Sequence, residues 1–288
     1  MKTILTLTDF TEKSQHAAEF AYLFASRINA NIILFNNYYV PQGTVFAGIY
    51  TSYSSDFSGY ESDSLKELTD QATRIKEKCD PLIRGRKPII HCENELGNLA
   101  ENTKEFLLKR DIWLIIMGSK RIDGIVRKMI FKSDTKLVIE NSTCPVLLVS
   151  EKTNFENIKK IVFASAGFDQ EDFKALNFLT ELAKPFESEI VITHISPKSK
   201  KEQETETKVS KEVYFAWSEM KYPKVIFKDI KSDDVSKSIK KFTQIEHIDL
   251  IALIYRKHSF FDQLFNEHHF NQLFDYDKVP VLVFPESK

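Results

Sequence analysis

The stretch that decides the fold is Trp113-Leu-Ile-Ile-Met117-Gly118-Ser119, read together with Asp249-Leu-Ile-Ala-Leu253-Ile254-Tyr255. Each is a short, unbroken apolar run that ends abruptly in polar or small residues. Such runs are expected of strands buried on both faces, as in a parallel sheet whose crossovers are helices. A second pair stands downstream at nearly the same distance, Thr143-Cys-Pro-Val-Leu-Leu-Val149 and Lys278-Val-Pro-Val-Leu-Val-Phe284. The two halves of the chain are thus in register, to within one residue, over the last third of each.

Working outward, the first half reads as strands at Thr3–Thr8, Asn31–Asn36, Pro88–Cys92, Trp113–Met117 and Pro145–Val149. Amphipathic segments Glu12–Ile28, Asp63–Cys79, Asn98–Arg110 and Ser133–Glu140 lie between them. The second half repeats the plan, with strands at Ile161–Ala164, Glu189–Thr193, Val225–Phe227, Leu250–Ile254 and Val281–Phe284. Its helices are expected at Phe173–Lys184, Lys200–Glu219, Val235–Glu246 and Asn266–Phe274. Alternating strand and helix imply right-handed crossovers. The expectation is α/β: two tandem doubly wound five-stranded parallel-sheet domains, residues 1–150 and 151–288, joined near Ser150–Asn157. Only the first half carries a long irregular insertion, Tyr38–Ser62. It is read as a flap over the sheet edge or the other domain, or as a ligand or partner contact.

Composition narrows the function. The chain has 288 residues and a net charge of −1, which supplies no drive toward nucleic acid or an anionic membrane. The N-terminus lacks the apolar core of a secretory signal, and no run is long enough to span a bilayer. Three cysteines without a Cys-x-x-Cys pair argue against disulfides or structural zinc, so a cytoplasmic setting is expected. Glycine is scarce: eight residues, where usage of about 7 % predicts roughly twenty. Beyond Gly124 the chain holds only Gly167.

The order Ile4-Leu-Thr-Leu-Thr8-Asp9-Phe10 with Thr11-Glu-Lys-Ser after it resembles the opening of the universal stress protein family. Met117-Gly118-Ser119 and Ser142-Thr-Cys144-Pro145-Val-Leu-Leu-Val strengthen the resemblance. It implies the adenine nucleotide alpha hydrolase-like fold, with a nucleotide cleft at the carboxyl ends of the first and fourth strands. That is where doubly wound sheets bind ligands. In nucleotide-binding members a Gly-x-x-Gly, nine residues and Gly-Ser/Thr wrap the phosphates, and an Asp after the first strand meets the adenosine portion. Small residues are needed because phosphates must approach backbone N–H groups.

Carried over, Asp9 and Gly118 are in place. The second glycine falls on Arg121 and the third on Phe131 or Lys132, with Ser133 in the hydroxyl position. Lys120, Arg121 and Lys132 donate well to phosphate oxygens, and Ser133 would open a helix. The alternative is a solvated basic face with Ser133 as a simple cap. Asp9 likewise either contacts a ribose or cation, or starts the helix as a turn acid. In the second copy the acid becomes Ala166 or Gly167, Gly118 becomes Ile254, and the loop Tyr255-Arg-Lys-His258-Ser-Phe-Phe261 has no glycine. A nucleotide site of the family type is not expected there. Phe260, Phe261, Phe265, Phe270 and Phe274 either fill the vacated cleft or line an apolar pocket.

No Gly-x-Ser-x-Gly elbow, Gly-Lys-Ser/Thr phosphate loop or His-Glu-x-x-His is present. Glu267-His268-His269 and His258 are read as surface residues, and Cys92 and Cys144 as buried and inert. The functional expectation is a non-catalytic binding or interaction module of the stress response, acting on a protein partner. The alternative is a nucleotide-responsive switch that binds ATP or AMP through Asp9, Gly118, Ser119, Lys120, Arg121 and Ser133. Weak ATP hydrolysis is a distant third reading. Family members dimerise through the last strand, so Pro145–Val149 and Pro280–Phe284 are expected to pair within one chain, giving a monomer or a homodimer through another surface.

Overall fold

The computed structural model describes residues 1–39, 57–119, 134–155, 157–165, 169–196, 222–231, 247–256 and 278–286. The chain divides into two compact units, Met1–Gly118 and Ser119–Lys288.

In the first unit, β1 (Thr3–Thr8), β2 (Asn31–Tyr38), β3 (Ile90–Leu96) and β4 (Leu114–Gly118) form a parallel sheet in the order β3-β2-β1-β4. The helices are α1 (Glu12–Ile28), α2 (Phe57–Cys79) and α3 (Leu99–Lys109). β1 lies between β2 and β4, and Ile4, Leu5, Leu114, Ile115 and Ile116 have no exposed surface. α1 buries Ala17, Ala21, Phe24 and Ala25. Its small residues let the helix sit close to the sheet while Phe20 and Phe24 stack beside them. Burying each such large side chain contributes about 1.5–3 kcal/mol. Thr11 caps the helix by accepting from the Ser14 N–H, and Asn29 closes it in a left-handed conformation.

In the second unit, α4 (Asp134–Asn141) precedes β5 (Val146–Val149). β6 (Lys160–Ser165), α5 (Gln170–Ala183), β7 (Glu189–Ser196), β8 (Val225–Lys231), β9 (Leu250–Ile254) and β10 (Val281–Phe284) follow. The strand order is β5-β10-β9-β6-β7-β8. Every pair is parallel except β10 with β5, where Val281 lies opposite Leu148, Leu282 opposite Leu147 and Val283 opposite Val146.

The repeat extends to individual backbone bonds. Asn31 N–H donates to the Lys2 carbonyl and Trp113 N–H to Thr3; Glu189 donates to Lys159 and Asp249 to Lys160 in the same way. Ser119 N–H donates to the Val149 carbonyl at 2.8 Å, and Tyr255 N–H to Phe284 at 2.8 Å. Sheet register pairs Leu7 with Met117 and Ala164 with Leu253, so Gly118 and Ile254 hold equivalent places.

Several boundaries differ from the sequence reading, each for a physical reason. α2 begins at Phe57, so the end of the Tyr38–Ser62 segment is helical, and Tyr38 itself closes β2. β3, β5 and β10 begin after Pro88, Pro145 and Pro280, because proline has no N–H to donate to a ladder. β8 runs past Phe227 as Lys228-Asp-Ile-Lys231; an edge strand alternates with polar residues where an apolar-run criterion stops early. α5 starts at Gln170 because Asp169 and Asp172 form a capping box. Cys144 is buried as expected, whereas Cys92 is only half-buried. The expected helices Lys200–Glu219 and Asn266–Phe274 lie outside the described residues, as do residues 235–246, His258 and Glu267-His268-His269.

Candidate functional site

β1 ends at Thr8, and the chain turns into α1 within three residues. Phe10 takes a left-handed conformation (φ 62°), which lets Asp9 and Thr11 fold back on each other. Asp9 Oδ1 accepts from the Thr11 hydroxyl at 2.6 Å and from its N–H at 3.2 Å. Asp9 is therefore a turn acid at the start of α1, and one carboxylate oxygen is fixed. Burial raises its pKa, but hydrogen bonds from Thr11 and Ser14 outweigh this and hold the carboxyl below its ordinary value.

Behind Asp9 sits a buried polar layer. Ser14 Oγ receives the Asp9 N–H at 3.3 Å, lies 3.0 Å from Thr8 Oγ1 and donates to the Thr11 carbonyl at 3.0 Å. Thr8 Oγ1 also lies 3.1 Å from Gln71 Oε1 and accepts from the Phe10 N–H. Asn36 Nδ2 donates to the Thr8 carbonyl at 2.8 Å, and Ser64 Oγ donates to Asn36 Oδ1 at 2.9 Å. These bonds tie the ends of β1 and β2 to α2, and they make the turn carrying Asp9 rigid.

Gly118 ends β4 beside this turn. A Cβ placed on it would lie 3.1 Å from the Lys13 carbonyl oxygen and 3.4 Å from the Ser14 nitrogen. Glycine lets the first turn of α1 pack closely against the end of β4. Ser119, which opens the second unit, has its N–H engaged by Val149. The structure therefore brings Asp9 and Gly118 to one place, the carboxyl ends of adjacent strands. Lys120, Arg121 and Ser133 lie outside the described residues.

The equivalent place in the second unit is filled from within the chain. Arg256, two residues beyond Ile254, donates to Asp169 Oδ1 at 2.9 Å and to Asp172 Oδ2 at 2.6 Å. Asp169 is the N-cap of α5, accepting from the Glu171 and Asp172 N–H groups, and Asp172 accepts from the Asp169 N–H at 3.1 Å. Asp172 is only 1 % exposed. A guanidinium and two carboxylates thus occupy the helix N-terminus. Tyr255, in the position of Ser119, is buried and donates to Glu140 Oε1 at 2.6 Å. Ala166 and Gly167 lie outside the described residues, as does the phenylalanine cluster from Phe260 to Phe274.

Gln71 and Asp172 are absent from the sequence reading, and Thr11, Ser14 and Arg256 enter it only within quoted stretches, with no site role. The spacing Asp169-x-x-Asp172 is a legible capping signal, and Thr11 with Ser14 gives a weaker one. Nothing local marks Gln71 or the reach of Arg256. Among the described residues no group of three or more His, Cys, Asp or Glu side chains could hold a metal ion. No described helix is long and apolar enough to cross a membrane.

Strand order and site position define an α/β protein of the adenine nucleotide alpha hydrolase-like fold. The sequence model of the universal stress protein family matches residues 1–150, and the chain belongs to that family. Comparison with curated protein sequences finds no match. Among solved structures, a universal stress protein from Archaeoglobus fulgidus DSM 4304 aligns with a TM-score of 0.68 at 16 % identity, covering 99 % of this chain and 97 % of that one. A functionally unknown protein from Pseudomonas aeruginosa PAO1 gives 0.57 at 13 % identity, covering 99 % and 92 %. The cytoplasmic domain of a prokaryotic cation chloride cotransporter gives 0.56 at 10 % identity, covering 98 % and 94 %. Likeness at such identities establishes the shared fold.

Proposed function

We propose that this protein is a non-catalytic binding and interaction module of the cytoplasmic stress response, built from two family domains, residues 1–150 and 151–288. The observation that carries this reading is that, among the described residues, the strand ends where the family binds nucleotide carry internal contacts. Arg256 closes the helix N-terminus in the second copy through Asp169 and Asp172. Gly118 in the first is accounted for by its approach to Lys13. A partner protein, acting on surfaces outside the clefts, is then the natural target.

One observation favours a second reading for the first domain. Thr11 fixes Asp9 through Oδ1, and the residue stays exposed at the strand end. An ionised, pre-oriented carboxylate at a strand end suits a ribose hydroxyl. ATP or AMP would then be held by Asp9, Gly118, Ser119, Lys120, Arg121 and Ser133.

Mass spectrometry of the protein as purified, followed by calorimetric titration with millimolar ATP, AMP and cyclic AMP, separates the two. The binding-module reading expects no released nucleotide and no heat. Stoichiometric nucleotide, lost on Asp9→Ala, would replace it with the switch.

The edge of β5 is covered by β10 of the same chain, which supports a monomer. Light scattering is expected to give a mass near 33.4 kDa. A mass of twice that value would mean that another surface mediates dimerisation.

A further inference from the structure

Where the end of β10 meets the start of β5, the second unit holds a half-open pocket of about 170 Å³. Ala175 and Phe178 of α5, Ile254 of β9, Phe284 and the flanking prolines 145 and 285 form its apolar wall. The wall is stiff: Phe284 packs edge-on against Phe163 at 6.5 Å and against Phe178 at 5.5 Å. Thr143, Glu171 and Lys174 stand around the same space as its polar residues.

We propose that this pocket is a binding site for a small neutral amphiphile, a single ring or short branched chain bearing one hydroxyl or amide. Its size sets the apolar part, since an apolar cavity of about 150 Å³ takes up one benzene. The charge state of the polar residues sets the head. Lys174 Nζ lies 2.8 Å from Glu171 Oε1 one turn away on α5, so the two charges cancel. A charged head would compete with that pair, whereas a hydroxyl or amide can bond to the Thr143 hydroxyl and leave the pair intact.

The two copies differ here in a way that supports a built wall. Counted from the helix caps Thr11 and Asp169, Ala175 and Phe178 correspond to Ala17 and Phe20. Ile254 and Phe284 replace Gly118 and Val149, so the second copy has gained bulk on the strand side.

The test is saturation-transfer NMR on the full chain with benzyl alcohol, benzoate and benzylamine. Benzyl alcohol is expected to bind at millimolar concentration and at least about five-fold tighter than either charged analogue, the ratio that one retained hydrogen bond supplies. Ala175→Leu, which fills the space, is expected to abolish the signal. Thr143→Val is expected to weaken binding about five-fold while leaving the fold intact, because Thr143 is exposed. It carries the test if Ala175→Leu does not fold. No transfer from millimolar benzyl alcohol overturns the site. So does transfer that survives Ala175→Leu or is unchanged by Thr143→Val. Equal or tighter binding of benzoate or benzylamine overturns the neutral head.

Discussion

Replacing Arg256 with alanine is expected to cost the protein about 3 kcal/mol, seen as a fall in melting temperature of about 6–12 °C. The size follows from burial. The Asp172 side chain is 1 % exposed and Arg256 only 19 %, so the variant takes away the guanidinium that faces a buried carboxylate. Removing one partner of a buried pair costs about 3–5 kcal/mol. The lower end applies because Asp172 still accepts from the Asp169 N–H. Replacing both partners by apolar residues, Arg256→Met with Asp172→Leu, is expected to recover most of the loss, since it removes the charge along with its partner. A single variant within about 0.5 kcal/mol of the parent would show that the ion pair is structurally idle.

The same cluster sets a pH dependence. Burial raises the pKa of Asp169, but hydrogen bonding with Asp172 and backbone N–H groups, and the charge of Arg256, outweigh it and leave the value lowered. The folded protein thus holds this group ionised to lower pH than the unfolded chain does. Its contribution is complete above the unfolded value near 3.8 and is lost as pH falls through the folded one. The stability gap between parent and Arg256→Ala should accordingly be constant near neutrality and narrow in acid.

The second large effect is expected at Gly118. Gly118→Ala should cost about 1–2 kcal/mol and Gly118→Val about 3 kcal/mol, measured by urea unfolding. The obstacle is backbone: the added Cβ meets the Lys13 carbonyl carbon at 3.2 Å as well as its oxygen. Such atoms cannot swing aside as a flexible side chain would. Relief requires the first turn of α1 to lift, which would also loosen the Thr8–Ser14 contact. If Gly118→Ala proves neutral, the packing role fails, and the phosphate role regains its claim on this glycine.

These two positions show what the sequence carried and what it did not. α1 is legible at both ends, Glu12 and Ile28, because an apolar stripe lies between a hydroxyl cap and an Asn that tolerates the left-handed region. The buried strands are legible because continuous apolar runs have few alternatives in an α/β chain. β8 extends past its apolar run because an edge strand is half polar. At the site, Asp9 and Gly118 were found through the family motif, yet their contacts give them local structural duties that a motif cannot reveal. Arg256 stood in plain view within Tyr255-Arg-Lys, but its partners lie more than eighty residues away in sequence. Only the fold brings them together, and no local pattern announces such a pair.

The antiparallel pairing of β5 with β10 has an evolutionary consequence. Two identical chains that meet across a symmetric interface carry every substitution twice, once on each side. A strand pair closed inside one polypeptide does not depend on protein concentration, and each of its sides can vary alone. Ile254 and Gly118, which hold equivalent register places, can therefore differ without a matching change on the other side.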